Sequence, residues 1–302
     1  MRNKGLFMDI KKLLLENAAL KESALPHYLE TEDEALSTLY EAMRYSTLGG
    51  GKRIRATLVL EFSRLFGGTD AAALPFACAM ECVHASSLIH DDMPCMDNDE
   101  LRRGRPTNHI VFGVDIALLA GDALITRGYE IAARNPHVAP EIALSATAML
   151  LRDAGAFGMM GGQEIDLLGA KDPVDFPLLL KMHGKKTGAL IRASACLGCH
   201  AAGISNFEDP RMQAAITYAE GIGLAFQIVD DVLDAVGDEK TLGKKTQADA
   251  ALNKTTFLRF MTIDEARAYA KEVTEKAIRA VQGYEKNEAL VALAEYLLIR
   301  TN

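Results

Sequence analysis

The stretch Ser86–Thr107 reads SSLIHDDMPCMDNDELRRGRPT. It packs Asp91, Asp92, Asp97, Asp99 and Glu100 into ten positions and follows them at once with Arg102, Arg103 and Arg105. Carboxylates so close together repel one another unless water separates them or a cation sits among them. Oxygen-only clusters suit Mg²⁺, which binds through one or two carboxylates on one side and substrate phosphates on the other. Asp91 and Asp92 close an apolar helical stretch and Pro94 can hardly continue it. Asp97 must therefore return from a loop, while His84, Ser87 and Asp91 form a narrow stripe on the helix. A second cluster lies in GLAFQIVDDVLDAVGD, Gly223–Asp238. At helical spacing Asp230 and Asp234 share a face, Asp231 flanks it, and Gln227 sits one turn earlier on the same side. Left unpaired in an apolar interior, each of these charges would cost several kcal/mol. The two clusters are expected to face each other across a helical bundle with metal-bound phosphate between them; the plainer reading is acids turned to water.

The basic residues supply the complement. Lys52, Arg53 and Arg55 follow the Gly49-Gly50-Gly51 turn, an arrangement that offers backbone N–H groups to an anion. Arg102 and Arg103 follow the first acids. Lys185, Lys186 and Thr187 are expected at a helix start after Gly184, and Lys244 and Lys245 follow Gly243 beyond the second acids. No convincing Ser/His/Asp or Cys/His arrangement offers a side-chain nucleophile. ACLGCH, ending at His200, matches the C-x-x-C-H pattern of haem attachment. It lies in an Ala/Gly-rich apolar helix, and Cys196 and Cys199 read as small packing residues.

These residues must be held by helices. Apolar positions recur three and four apart over 10–25, 35–48, 54–66, 74–89, 116–133, 142–157, 178–202, 212–236 and 266–298, separated by LGGGK, FGGTD, RGRP, RNPHVAP, GMMGG and DPVDFP. No alternating β-branched run appears, so sheet content should be low. An all-α fold follows, one domain over 1–302, whose central helices are apolar nearly all round as in a large bundle. The 302 residues, 49% of them hydrophobic, provide ample core. A net charge of -8 argues against a nucleic-acid surface. No signal peptide is read at the N-terminus and no apolar run is expected to span a membrane, so a soluble cytoplasmic protein is the expectation.

LGGGKRIR, ECVHASSLIHDDMPCMDNDELRRGRPT, LAGDAL, GGQEIDL, KKTGAL and FQIVDDVLD resemble, in order and spacing over about Leu48 to Lys254, the motifs of the all-trans polyprenyl diphosphate synthases, the farnesyl and geranylgeranyl diphosphate synthase group. The resemblance implies a helical bundle of the isoprenoid synthase type with a central apolar cavity, Mg²⁺ as cofactor, several ions per site, and a homodimer. It implies that Asp91, Asp92 and Asp97, with Asp230, Asp231 and Asp234, hold Mg²⁺ on an allylic diphosphate. Arg102, Lys186 and Lys244 would contact that diphosphate, and Lys52, Arg55, His84 and Arg103 would bind isopentenyl diphosphate. Lys186, Thr187 and Gln227 would point oxygens at the allylic cation. Ser86 and Ser87, one turn before Asp91, would form the floor of the product pocket. An aromatic side chain at either place commonly accompanies a fifteen-carbon product in this family, so two serines suggest twenty carbons or a mixture. The stretch after Asp249 departs from the family's pattern: Lys254 and Thr255 fit loosely and a proline is missing. A class I terpene cyclase and a non-catalytic synthase subunit are the alternatives. The first lacks an isopentenyl diphosphate site, and the second tends to lose an acidic motif.

Overall fold

The structure, a computed structural model, describes residues 9–172, 174–242 and 255–299. Lys244, Lys245 and Lys254 lie outside the described residues. The fold is all-α, as expected; the strands among the described residues are two of two residues each. The chain divides into two compact units. Lys11–Ala148 with Cys196–Ser205 form one, and Met149–Ala195 with the chain from Asn206 onward form the other.

The first unit carries α1 (Ile10–Ala24), α2 (Ser37–Thr47), α3 (Ile54–Leu65), α4 (Asp70–Asp91), the hairpin β1 (Leu101–Arg102) and β2 (Arg105–Pro106), α5 (Asn108–Phe112), α6 (Val114–Ala133) and most of α7 (Pro140–Ala154). Helix α4 is its axis. Thr69 caps it by accepting from Ala72 N at 3.2 Å, and it begins before Pro75 rather than at Leu74 as periodicity suggested. Pro75, the sixth residue of α4, gives up the one N–H that would bond to Ala71 O, and the helix continues past it to Asp91. A side-chain carbon at Gly128 of α6 would stand 2.8 Å from Ala79 O and from Val83 Cγ2, so glycine is what lets α6 lie against α4. The expectation that no run could span a membrane is corrected by α4, whose 22 residues have the length and composition; most of them are buried in the protein. Cys196 and Cys199 are buried free thiols, and His200 donates and accepts locally, Nδ1 to Cys196 O at 2.8 Å and Nε2 with Ser145 Oγ at 3.1 Å. That is a packed core histidine, as the packing reading of ACLGCH requires.

The second unit carries α8 (Met159–Gly169), α9 (Phe176–Lys186), most of α10 (Gly188–Ala201), α11 (Pro210–Leu242), α12 (Ile263–Val281) and α13 (Glu288–Ile299). Two periodic stretches divide where the pattern ran on, 178–202 at Thr187 and 266–298 between Val281 and Glu288. Helix α8 grows from GMMGGQEIDL, which the sequence presented as punctuation. Thr262 and Glu265 form a capping box that starts α12. Leu179, Ile228, Phe257, Ala266 and Ala270 form a fully buried apolar cluster between α9, α11 and α12. Tyr218, also fully buried, donates its hydroxyl to Leu290 O at 2.6 Å and so ties α11 to α13.

Candidate active site

In the first unit the acidic loop closes as the spacing demanded. Helix α4 stops at Asp91, and Asp97 N–H donates to Asp91 O at 2.9 Å, which returns Asp97 to the helix end. Thr107 pins the far side of the loop, its hydroxyl donating to Asp99 O at 2.7 Å. Arg103 and Gly104 both have positive φ, 55° and 75°, the two-residue pattern of a tight hairpin turn. That turn sets Arg102 opposite Arg105 and leaves Arg103 at the tip. Tyr45 holds the hairpin to α2: its hydroxyl donates to Pro106 O at 2.8 Å and Arg105 lies 4.3 Å over its ring.

The two neighbouring aspartates play different parts. Asp92 is buried, and Arg102 grips it bidentately, Nε at 2.8 Å from both carboxylate oxygens and Nη2 at 2.5 Å from Oδ1. Burial opposes the Arg102 charge, but the Asp92 carboxylate outweighs it and raises the guanidinium above its ordinary range. Asp91 is half-buried and Asp97 exposed. Among the described residues no three carboxylate, imidazole or thiol side chains form a ready-made cage. Two hard oxygen donors brought together by a backbone hydrogen bond fit the binding mode of Mg²⁺, which completes its shell with water and substrate phosphate.

The glycine turn lies in the same unit. Gly51 has φ of 121°, and a side-chain carbon there would stand 2.6 Å from the Arg103 guanidinium, which donates to Gly50 O. Arg103 can therefore rest on the turn that carries exposed Lys52. Arg53 turns inward in a left-handed conformation, φ 49°, with Nη1 3.0 Å from Glu81 Oε2 and Nη2 3.0 Å from Thr47 O. Glu81 Oε1 also accepts from Ala56 N at 3.3 Å, joining α4 to the start of α3. Arg55 Nη1 lies 3.2 Å from His84 Nε2. Burial, then the Arg55 and Arg103 charges, hold His84 well below the usual imidazole range. A neutral His84 Nε2 accepts from Arg55. Of the four residues assigned by resemblance to isopentenyl diphosphate, Arg55 and His84 pair with each other, and Arg103 rests on the glycine turn with its charge acting on both.

The second unit holds the remaining residues. Lys185 and Lys186 end α9 and Thr187 is the joint to α10; this corrects the expected helix start. The end of a helix favours cations, and Thr187 N–H still bonds to His183 O at 3.2 Å across the joint. Lys186 Nζ bonds to Asp166 Oδ2 at 2.5 Å. A side-chain carbon at Gly162 would meet the Lys186 backbone nitrogen at 2.1 Å, so α8 passes directly over this joint. On α11, Gln227 and Asp230 are half-buried and Asp234 is exposed. Asp231 Oδ2 accepts from Phe257 N at 2.7 Å, and burial raises its pKa to about 6 against that hydrogen bond.

Sequence reasoning passed over four residues here. Glu81, three before His84, orders the glycine turn. Asp166 and Gln163 stand in GGQEIDL; the first holds Lys186, and the second has a buried side-chain amide with no partner among the described residues. His183, three before Lys186, touches Gln227. The motif itself was the available signal for Asp166 and Gln163. No spacing rule pointed to Glu81 or His183.

Residues 36–297 match the family described as Polyprenyl synthetase. The chain belongs to that family. Among its relatives is the chloroplastic geranylgeranyl pyrophosphate synthase of Capsicum annuum, 38% identical over 299 residues, 97% of this chain and 78% of the relative. The heterodimeric geranylgeranyl pyrophosphate synthase large subunit 1 of Arabidopsis thaliana is 39% identical over 97% of this chain and 80% of its own. Among solved structures, an FPP/GFPP synthase from Zymomonas mobilis superposes with a TM-score of 0.85 at 35% identity, covering 96% of this chain and 99% of that one. This polyprenyl synthetase is a short-chain prenyltransferase. Neither the class I terpene cyclase nor the non-catalytic subunit is supported by these matches.

Proposed function

We propose that this polyprenyl synthetase condenses isopentenyl diphosphate with dimethylallyl, geranyl or farnesyl diphosphate, giving geranylgeranyl diphosphate, alone or with farnesyl diphosphate, and inorganic diphosphate. The observation that carries the reading is a cluster of basic groups, the Arg55–His84 pair and Arg103 on the glycine turn, in the same unit as the loop that returns Asp97 to Asp91. Lys52, Arg55, His84 and Arg103 bind isopentenyl diphosphate. Arg102, Lys186 and Lys244 receive the allylic diphosphate.

Asp91 and Asp97, with Asp230 and Asp234, would hold Mg²⁺, which when bound neutralises charge on the leaving diphosphate. Asp92 serves by fixing Arg102, and Asp231 by fixing Phe257, the roles their hydrogen bonds support. The allylic carbon–oxygen bond breaks and its electron pair leaves with the diphosphate. The positioned cations lower that barrier because they need no reorganisation as charge develops. The isopentenyl double bond then attacks the allylic cation, and the departed diphosphate takes the proton lost from the new chain. Thr187 and Gln227 oxygens and the Lys186 backbone face the cation, so no side-chain nucleophile is required.

The product expected is twenty carbons long. Ser86 is buried and Ser87 half-buried on α4, and neither carries the aromatic ring that in this family accompanies a fifteen-carbon product. A single synthase domain over 1–302 belongs to the same reading, supported by one unbroken family match. So does a homodimer, supported by the exposed apolar side chains of α5 and α6, Ile110, Val111, Val114, Leu118 and Leu119. A cytoplasmic location accords with five free cysteines, of which four are buried. The test is chromatography of the products made from isopentenyl and dimethylallyl diphosphates with Mg²⁺. The wild type should release twenty-carbon diphosphate, and Ser86→Phe should shift it to fifteen. A wild type stopping at fifteen carbons, unshortened by Ser86→Phe, overturns the open-floor reading.

A further inference from the structure

The short 3-10 turn Phe257–Arg259 places a fully buried Phe257 beside the last turn of α9 and against α11 at Asp231. Its N–H is held by Asp231, and its ring stacks on the imidazole of His183, centroids 5.1 Å apart and planes 16° from parallel. His183, in the last turn of α9, places Nδ1 3.0 Å from Gln227 Oε1. Gln227 and Asp231 stand one turn apart on α11. The four residues therefore close a ring: His183 on Gln227, Gln227 through the helix to Asp231, Asp231 on Phe257, and Phe257 back on His183.

Chemistry fixes which nitrogen carries the proton. His183 is buried, and its Nε2 has no hydrogen-bond partner among the described residues. A buried N–H without an acceptor is rarer and dearer than a bare lone pair, so Nε2 is the unprotonated nitrogen and Nδ1–H is the donor. Burial lowers the His183 pKa to about 4, which keeps this donor uncharged at neutral pH. A neutral donor suits a place next to a developing carbocation, where an imidazolium would oppose the charge.

We propose that His183 is a positioning residue for prenyl transfer: its Nδ1–H, held in plane by the Phe257 ring, fixes the Gln227 amide in the orientation that stabilises the allylic cation. The inference rests on the reading that Gln227 faces that cation. Because it acts on the transition state and not on either bound diphosphate, its loss should lower kcat and leave both KM values nearly unchanged.

The experiment is steady-state kinetics of the full chain with isopentenyl and geranyl diphosphates and Mg²⁺, with thermal melts on every variant. His183→Leu, which keeps an apolar contact with Phe257 but cannot donate, should lower kcat about tenfold or more, with each KM within about threefold. His183→Asn, whose amide N–H can stand where Nδ1–H stood, should recover most of the loss. His183→Gln, whose amide reaches instead toward the Nε2 position, should not. Adding His183→Leu to Gln227→Ala should lower kcat no further than Gln227→Ala alone. Should His183→Leu fail to fold, the contrast between Asn and Gln decides. A wild-type kcat in His183→Leu, equal impairment of Asn and Gln, or full additivity with Gln227→Ala overturns the positioning role. An unaltered kcat in Gln227→Ala overturns the reading of Gln227 itself, and the two failures are distinguished by that single variant.

Discussion

Arg102 and Asp92 form a partly buried pair in which the acid has almost no access to water: the Asp92 side chain is 4% exposed and that of Arg102 33%. Removing the guanidinium strands a buried carboxylate, which for a fully buried pair costs about 3–5 kcal/mol and here somewhat less, because solvent already screens one partner. Arg102→Ala should therefore lower both turnover and the thermal midpoint. Asp97→Asn should lower turnover while shifting stability by no more than about 0.5 kcal/mol, since Asp97 is exposed. Calorimetry beside a turnover assay checks the split; a thermal midpoint in Arg102→Ala equal to wild type would remove the structural half of the pair's role. The same logic separates neighbours elsewhere. Arg53 is folded in upon Glu81 and Thr47, whereas Lys52, one residue before it, is exposed.

At the scale of elements, the joint between α9 and α10 is the part most exposed to packing error. Gly162 of α8 lies on the Lys186 backbone, and Asp166 one turn on holds the Lys186 side chain. Gly162→Ala would drive a methyl carbon into main chain that has no rotamer with which to yield. Overpacking of this kind costs about 1–3 kcal/mol, and here it displaces Lys186 as well. The expected outcome is a lower melting temperature with a raised KM for the allylic substrate and little change in KM for isopentenyl diphosphate. Equal effects on both KM values would mean that the joint serves the two substrates alike. Gly188 of the same stretch meets only His183 O at 3.3 Å and should tolerate alanine better.

For the whole molecule, three histidines with lowered pKa values, His84, His183 and His200, set the acid limb of stability. Burial lowers the pKa of His183 to about 4, that of His84 well below the ordinary value, and that of His200 in the same direction. Between about pH 4 and 6.5 the unfolded chain binds a proton at the His183 position and the folded chain does not, and the lowered pKa values of His84 and His200 act in the same direction. Stability is therefore whole above about pH 6.5 and falls as pH drops, by at most about 1.4 kcal/mol per pH unit for each histidine. Asp231 works the other way. Its pKa is raised to about 6, so it favours the folded state below about pH 4 and loses that contribution as pH rises through 6. The histidines outnumber it, and the thermal midpoint of the metal-free protein should decline from pH 7 to pH 5. His183→Asn should flatten the decline and Asp231→Asn should steepen it. A midpoint that rises on acidification would refute the balance.

Local rules determined much of this in advance. Helical periodicity, the glycine punctuation and the forced stop at Asp91 and Pro94 gave an all-α chain, most helix ends to within a few residues, and the return of Asp97 to Asp91. Each depends on spacing along the backbone alone. The motifs GGGKRIR, DDMPCMD, KKTGAL and QIVDDVLD likewise marked most of the candidate site. Tertiary structure decided what spacing cannot express: which of two adjacent aspartates is gripped by an arginine, and that Asp231 bonds to the backbone of Phe257. It also broke the run 178–202 at Thr187, made α8 out of a glycine-rich stretch, and set His183 against Gln227, 44 residues later in the chain. A side chain's partner across the fold depends on how helices pack, and helix packing is fixed by the shapes of all the contacting surfaces together rather than by any one segment's pattern.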